Sequence, residues 1–213
     1  MPKPSEKRLL HLRSLVAYDA SFDGFGTTLA GMDEAGRGPL MGPVVAACVI
    51  LPREPVLEWV DDSKRLSAAR REEMERRIRE VALYVGVGEA GPEEIDRWNI
   101  LGATRLAMRR AAAAAPATLC IVDAVTGLDV PFRVHSIAHA DATSYHVAAA
   151  SIVAKVARDR QMASYAALYP GYGFERNMGY ATAEHLAALK TLGPTPVHRK
   201  SFITKWCGEE AIP

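Results

Sequence analysis

The feature that most constrains the fold is an almost unbroken apolar run, PVVAACVIL, at residues 43–51. A strand with one solvated face alternates apolar and polar residues, whereas a strand covered on both faces is apolar throughout. The run therefore predicts a central strand in a sheet that is covered on both sides. Its apolar stretch from Val44 to Leu51 is far too short to span a bilayer.

Weaker patterns predict further elements around this strand. We predict strands at 27–33, 83–90, 118–125 and 132–141, and helices at about 4–20, 67–82, 91–116 and 143–169. The 91–116 segment is interpreted as one or two helices ended by Pro116, and a loop at 170–180, a short helix and a tail complete the chain. This order predicts a mixed α/β core with a helical C-terminal extension.

Composition indicates an ordinary globular chain. Of 213 residues, 49% are hydrophobic and 24% charged, and the formal net charge is +1, so any nucleic-acid binding must depend on local positive charge. Cys48, Cys120 and Cys207 form no Cys-x-x-Cys pair, and the basic N-terminus has no secretory core. We therefore expect a cytoplasmic protein without structural zinc, a disulfide framework or a membrane partner.

Acidic residues occur at or next to the ends of three predicted strands. They are Asp33 with Glu34, Asp123 and Asp141. Each has an alternative interpretation: Asp33 and Glu34 could pair with Arg37, Asp123 could form an Asx turn, and Asp141 could cap a helix. Taken together, acids at converging strand ends suit hard ions such as Mg²⁺ or Mn²⁺ and predict two-metal phosphodiester hydrolysis. The sequence contains no Walker-type or Gly-x-Gly-x-x-Gly phosphate loop.

Two other features could contact a sugar-phosphate chain. Gly36, Arg37 and Gly38 follow the first acids, and such a turn lets the backbone approach a ligand, although it could also be a tight hairpin turn with an exposed arginine. The second feature is a stripe on the predicted 143–169 helix, which a solvated helix face would also explain. It consists of Ser144, Ser151, Lys155 and Arg158. Tyr180 could stack on a sugar or base, or simply pack.

Eight segments in order give the chain a family resemblance. They are GMDEAGRGPLMGPVVAACVIL, DDSKRLS, EEIDRWNILGATRLAM, IVDAV, AASIVAKVARD, YPGYGF, GYAT and HRKSF. Between about Leu29 and Phe202 the chain resembles the bacterial ribonuclease HII branch of the type 2 ribonuclease H family. Arg37, Pro39 and the absence of an extra N-terminal domain argue against the ribonuclease HIII branch.

The resemblance implies a ribonuclease H-like fold with a mixed five-stranded sheet flanked by helices. It implies a docking helix and linker at 1–26, a catalytic core at 27–170 and a helical extension and tail at 171–213. The matching metal-binding acids are Asp33, Glu34, Asp123 and Asp141, the last placed ten residues before Ser151. The matching substrate-binding residues are Gly36, Arg37, Gly38, Lys64, Ser151, Lys155 and Tyr180.

The implied reaction is metal-dependent hydrolysis, with Mn²⁺ or Mg²⁺, of RNA in RNA–DNA hybrids. Incision on the 5′ side of a single ribonucleotide in duplex DNA, leaving a 3′-hydroxyl and a 5′-phosphate, is also implied. Ala124, Ala140, Asn177 and Met178 depart from the family pattern, so a catalytically idle hybrid-binding module is the alternative. An unrelated α/β protein is a third. We expect a monomer; the tail shows no clear sliding-clamp motif, so a clamp partner is unsupported.

Overall fold

One mixed sheet of five strands lies at the centre of the computed structural model, which describes residues 4–24, 26–61 and 63–207. The strands are β1 (Leu29–Ala35), β2 (Val44–Ile50), β3 (Tyr84–Ala90), β4 (Leu119–Asp123) and β5 (Arg133–Ile137). Their order across the sheet is β3-β2-β1-β4-β5. β2 pairs antiparallel with β1 and β3, whereas β4 pairs parallel with β1 and β5. The predicted mixed five-stranded sheet is confirmed.

Helices flank the sheet and continue into the C-terminal region. They are α1 (Glu6–Ala20), α2 (Ala68–Val81), α3 (Pro92–Ala111), α4 (Tyr145–Leu168), α5 (Phe174–Asn177), α6 (Ala183–Leu192) and α7 (Lys200–Cys207). Two short 3₁₀ segments, Ser63–Arg65 and Ala140–Ala142, lie in the connections. Within the described ranges, no helix combines the length and apolar character needed to cross a membrane.

The central strand β2 is buried on both faces, as its apolar run predicts. All seven of its residues are buried. Ala47 and Val49 belong to the core on the α4 side of the sheet, and Ala46 and Cys48 to the core on the α3 side. Fully burying a side chain such as Val49 contributes roughly 1.5–3 kcal/mol. The two helical layers are thus held together through one strand.

Glycines allow both helical layers to approach the sheet closely. A Cβ atom on Gly31 would lie 2.2 Å from the backbone carbon of His146, and one on Gly88 would lie 2.3 Å from the carbonyl oxygen of Ala107. Any larger residue at either position would push the helix away. The first turn of α4 is therefore fixed against β1, close to the acidic end of that strand.

Helix α3 contains a kink that the sequence left open as one or two helices. Asn99 has a left-handed φ of 54°, and its Oδ1 accepts hydrogen bonds from the backbone N–H groups of Leu101 and Gly102. The side chain therefore caps the second half of the helix. The helix ends at Ala111, before the predicted end at Pro116, because the alanines that follow form a turn.

The C-terminal region is more helical than predicted. The predicted loop at 170–180 contains the short helix α5, and the predicted tail becomes α7 from Lys200 onward. Asp96 of α3 caps α7: its Oδ2 accepts from the N–H of Lys200 and its Oδ1 from the N–H of Ser201, both at 2.9 Å. This cap comes from a residue more than a hundred positions away, so no local pattern could predict it.

The N-terminal helix α1 docks on the core, as predicted. Leu12 and Leu15 are buried, and the Asp19 Oδ2 accepts from the backbone N–H of His146 at 2.9 Å and pairs with its ring Nδ1 at 2.7 Å. The division into parts 1–26, 27–170 and 171–213 stays a prediction. Residues 1–3, 25, 62 and 208–213 of those parts lie outside the described residues.

Two buried histidines join α6 to the segment before α7. The Nε2 atoms of His185 and His198 are 3.1 Å apart. His185 Nδ1 donates to the carbonyl oxygen of Tyr180, whereas His198 Nδ1 accepts from the N–H of Thr195. Both rings are therefore neutral, with the shared proton on His198 Nε2. Burial, and the repulsion that two protonated rings would exert on each other, lower the pKa of His198 to about 4.

We expect this pair to lower stability in acid. A histidine whose folded-state pKa lies below its usual 6.5 binds a proton more readily in the unfolded chain, so its contribution is complete above pH 6.5 and is lost as pH falls toward 4. The loss is on the order of 3 kcal/mol. Denaturant unfolding measures the free energy of unfolding across this pH range. As pH falls, that free energy should decrease less for His198→Gln than for the wild type. The exposed-site control His139→Asn should follow the wild type, and identical curves for His198→Gln would contradict the expectation.

Candidate active site

The parallel pairing of β1 and β4 brings two of the predicted acids together. Met32 and Val122 form the last registered pair, so Asp33 and Asp123 stand level one residue further along. Adjacent strands lie about 4.8 Å apart. Asp33 is buried, and its Oδ1 accepts from the backbone N–H of Glu34 at 2.8 Å. Two carboxylates therefore share one edge of the sheet, as the sequence predicted.

Glu34 extends from the opposite face of β1, because successive side chains of a strand alternate. Its register partner is Ala46, in the core on the α3 side, whereas the partner of Asp33 is Ala47, in the core on the α4 side. Glu34 Oε1 accepts from Arg37 Nη1 at 3.2 Å. Its Oε2 is buried and accepts no hydrogen bond from the described residues.

Asp141 reaches the site from a 3₁₀ turn, not from the end of a strand as predicted. Strand β5 ends at Ile137, and the turn is held because Asp123 Oδ1 accepts from the N–H of Ala140 at 3.1 Å. Asp141 Oδ2 accepts from Lys64 Nζ at 3.0 Å. The hydrogen bond between Ala140 and Asp123 therefore ties the fourth acid to the third.

Negative charge accumulates here away from water. Burial raises the pKa of Asp33 well above its usual range, and the charges of Glu34, Asp141 and Asp123 raise it further. Burial also raises the pKa of Glu34, against the opposing effect of Arg37. A cation bound among these groups would stabilise the charged carboxylates, offsetting both their burial and their mutual repulsion.

The carboxylate oxygens of the four acids are ligands that suit a hard divalent ion, although their present positions do not surround a single ion site. In the described part of the chain, no three acid, histidine or cysteine side chains form a ready metal-binding group. Arg37 and Lys64 instead neutralise Glu34 and Asp141. Oxygen ligands without thiol or imidazole fit Mg²⁺ or Mn²⁺, and the buried, unbonded Oε2 of Glu34 is an atom that such an ion would satisfy. The metal site stays a prediction.

The Gly-Arg-Gly segment belongs to the connection between β1 and β2, and it lies beside Tyr180. Gly36 has a left-handed φ of 95°, and a Cβ atom there would lie 2.1 Å from Nε of Arg158, so only glycine fits. A Cβ on Gly38 would lie 3.4 Å from the Tyr180 ring. That ring is 49% exposed, and the Arg37 side chain is 43% exposed. The structure thus brings the predicted loop and tyrosine together at the surface.

The other predicted substrate residues differ in accessibility. Lys64 is largely exposed, whereas Ser151 is buried and donates to the Ser63 hydroxyl at 2.7 Å. Lys155 is partly exposed and forms an ion pair with Asp159, one helical turn further on. A direct substrate contact is therefore open to the two lysines but not to Ser151.

The predicted polar stripe on α4 is buried at three of its four positions, since Ser144 and Arg158 are buried as well as Ser151. Ser144 is fully buried and is the N-cap of α4, accepting from the N–H of Val147 at 3.3 Å, a role that the sequence analysis had considered for Asp141. Arg158 is also buried, and it donates to backbone carbonyls. Helical periodicity places these side chains on one stripe but does not show that neighbouring loops cover it.

The sequence analysis missed Arg199, although it lies within the HRKSF segment. Its guanidinium is fully buried and donates to carbonyl oxygens of Gly36, Arg37 and Pro39. An arginine in a polar stretch with no periodic pattern is normally exposed, so nothing local indicated burial.

The order β3-β2-β1-β4-β5, with β1 antiparallel to β2 and parallel to β4, defines the ribonuclease H fold. A similar solved structure is the PCNA:RNase HII complex from Archaeoglobus fulgidus, with a TM-score of 0.71 and 29% identity. The similarity covers 83% of this chain and 94% of that chain.

Sequence comparison identifies the family. The model described as ribonuclease HII matches residues 30–205. A ribonuclease HII from Geobacter sulfurreducens is 51% identical over 177 residues, 82% of each chain. Another, from Caldanaerobacter subterraneus subsp. tengcongensis, is 47% identical over 179 residues, 83% of this chain and 74% of the relative. The chain therefore belongs to the ribonuclease HII family and is an enzyme of the ribonuclease H class.

Side-chain contacts account for Asn177, but not for Ala124 and Met178, among the departures from the family pattern. Ala124 and Met178 adopt left-handed φ values of 47° and 51°, which cost a residue with a Cβ about 1–2 kcal/mol each. Asn177 is buried: its Oδ1 accepts from the N–H of Gly179 and its side-chain amide donates to the carbonyl of Tyr172. Asn177 thus supports the turn that presents Tyr180, three residues further on.

We expect Asp33→Asn to stabilise the protein in chelator by about 1 kcal/mol, because it keeps the acceptor for the Glu34 N–H and removes a buried like charge. A raised folded-state pKa makes the charged carboxyl destabilising, so the difference should vanish as pH falls below 3.8. Adding Mn²⁺ should stabilise the wild type more than the variant.

Urea unfolding with EDTA and with Mn²⁺ measures both effects. Asp129→Asn is the matched control, since that side chain is 92% exposed, and it should change neither value. A wild type that is more stable than Asp33→Asn in EDTA would contradict this account of the site.

Proposed function

We propose that the enzyme hydrolyses RNA in RNA–DNA hybrids and incises duplex DNA on the 5′ side of a single embedded ribonucleotide. The products would be a 3′-hydroxyl and a 5′-phosphate. The observation that carries the proposal is a group of four acids around the ends of β1 and β4, two of them, Asp33 and Asp141, buried, beside a glycine loop and an exposed tyrosine. The acids are Asp33, Glu34, Asp123 and Asp141.

These four acids would hold Mn²⁺ or Mg²⁺, with two ions during catalysis. When bound, such ions activate the attacking water and stabilise the leaving 3′-oxygen. Burial of Asp33 keeps the site dry, which strengthens every charge interaction inside it. The Asp123 carboxylate, held by the Ala140 N–H, keeps Asp141 beside the strand ends.

Two cations are placed to bind substrate phosphates. Arg37 and Lys64 contact Glu34 and Asp141, and their side chains are 43% and 77% exposed. Each can donate to a phosphate oxygen from its open side. Lys155 extends this positive surface along α4. For Ser151 we propose an indirect role: its hydroxyl holds Ser63, the residue before Lys64.

Recognition of the ribose is assigned to the loop from Gly36 to Gly38. Without side chains, its two glycines let backbone groups reach the 2′-hydroxyl, the atom that distinguishes RNA from DNA. Tyr180 lies against Gly38 with an exposed ring that can pack on the neighbouring deoxyribose. A site that reads one 2′-hydroxyl has no need of a long RNA strand.

Partner and location assignments stay predictions. The archaeal relative was solved in complex with PCNA, but the tail at 208–213 lies outside the described residues, and we propose no clamp contact. We expect a cytoplasmic monomer.

The proposal predicts that the purified protein, with Mn²⁺ or Mg²⁺, nicks a duplex containing one ribonucleotide on its 5′ side and also degrades an RNA–DNA hybrid. Asp33→Asn should lower both rates by about 1,000-fold or more, because it removes a metal ligand. Gel analysis of end-labelled duplexes with chemically defined termini measures the position of the cut and the products.

Asp129→Asn serves as the matched control and should retain wild-type rates. Absence of cleavage by the folded protein with either metal, together with tight metal-independent hybrid binding, would support the idle binding module instead.

A further inference from the structure

Two buried arginines lie beneath the loop that the proposed function assigns to ribose recognition. Arg199 is 0% exposed and Arg158 is 1% exposed. Arg199 comes from the segment at the start of α7, and Arg158 from the middle of α4. Two distant parts of the chain therefore converge on the connection between β1 and β2.

Arg199 uses all three guanidinium nitrogens on backbone carbonyls of this connection. Nη2 donates to Gly36 at 2.6 Å, Nη1 to Arg37 at 2.9 Å and to Pro39 at 2.7 Å, and Nε to Gly42 at 2.9 Å. Its own backbone N–H donates to the carbonyl of Leu40 at 2.9 Å. One residue thus fixes five carbonyls between positions 36 and 42.

Arg158 joins the same connection to the turn that carries Tyr180. Its Nη2 donates to the carbonyl of Met178 at 3.1 Å, and its Nε donates to the carbonyl of Pro43 at 3.4 Å. The N–H of Leu40 also donates to the carbonyl of Gly179 at 2.8 Å, so the two loops are bonded directly as well. The relative position of Gly38 and Tyr180 therefore depends on buried hydrogen bonds.

Burying two charged side chains has a free-energy cost of desolvation. A functional need for the loop geometry that they impose would explain why the fold accepts this cost. Neither arginine forms a salt bridge with any described residue, so two buried like charges are offset chiefly by carbonyl dipoles, with the Phe202 ring 5.1 Å from the Arg199 guanidinium. A lysine would keep the charge but could not reproduce a planar fork that contacts four carbonyls. Apolar residues would stabilise an ordinary surface hairpin better than two buried arginines. Stability alone therefore does not explain why arginines occupy these positions.

We infer that Arg199 and Arg158 are positioning residues that hold the Gly36–Gly38 backbone and Tyr180 in the geometry that selects a ribonucleotide. The inference rests on the proposed function of that loop. Misplacing a recognition group by about 1 Å can cost on the order of 100-fold in rate, so loosening the loop should act on selectivity before it acts on folding.

The test uses Arg199→Lys and Arg158→Lys, which keep the charge and lose the fork. We expect each to reduce by about 10-fold or more the preference in affinity for a duplex with one ribonucleotide over the same all-DNA duplex. Affinity for all-DNA and for Mn²⁺ should stay near wild type. Hydrogen exchange of the amides at 36–42 should accelerate, while that of β2 should not change.

Two controls separate positioning from a general loss of structure. Arg110→Lys alters an arginine that forms an ion pair with Glu94 on another surface, and Met108→Ala destabilises the core under α3. Both should keep the wild-type preference and the wild-type exchange at 36–42. A merely structural role would instead make the lysine variants resemble Met108→Ala.

Retention of the wild-type preference and exchange by both folded lysine variants would overturn the inference. If one variant does not fold, the other decides, and failure of both to fold would also count against it, since the arginines would then serve the fold itself. A wild type without preference for the ribonucleotide duplex would refute the proposed function. Exchange at 36–42 would still show whether the arginines hold the loop.

Discussion

The parallel pairing of β1 with β4 is the constraint on which the site depends, because it places the buried Asp33 beside the partly buried Asp123. Burial, and then the charges of the neighbouring acids, raise the pKa of Asp33, and cations lie beside two of those neighbours, Arg37 at Glu34 and Lys64 at Asp141. The same two cations are those best placed for substrate phosphates. Charge compensation in the protein and charge recognition of the substrate therefore use the same side chains.

Helix α4 transmits this constraint to the rest of the molecule. Its first turn is pressed against Gly31 of β1, its middle holds the Ser63 segment through Ser151, and Arg158 further along reaches the loop before β2. A single rigid element thus fixes the acids, the segment that carries Lys64 and the glycine loop relative to one another. A helix can do this because its side chains repeat at fixed rise and angle, so distances set at one turn persist at the next.

Sequence reasoning succeeded where a local pattern has one physical cause. An apolar run such as that of β2 requires cover on both faces, and an acid at the end of such a strand requires neutralisation, so β2 and the position of Asp33 were predictable. Asp141 was identified as an acid at the end of a predicted strand, but that strand ends at Ile137, and the 3₁₀ turn that carries Asp141 depends on a hydrogen bond to Asp123. The caps and carbonyl contacts of the C-terminal region were not predictable, because Asp96 and Arg199 act on residues more than a hundred positions away.

The choice of carbonyls as partners for the buried arginines has an electrostatic reason. A carboxylate would neutralise Arg199 more completely, but it would add another negative charge near acids whose pKa is already raised by their neighbours. It would also cancel the positive potential beneath a loop proposed to receive an anionic backbone. Carbonyl groups accept the hydrogen bonds of the guanidinium groups without carrying net charge. They are also part of the loop backbone whose position must be fixed. Burial and the charge of Arg158 lower the pKa of Arg199 to about 9, which still leaves it charged at neutral pH. The fold therefore retains two positive charges under the loop, where they can favour substrate binding while they hold the loop's shape.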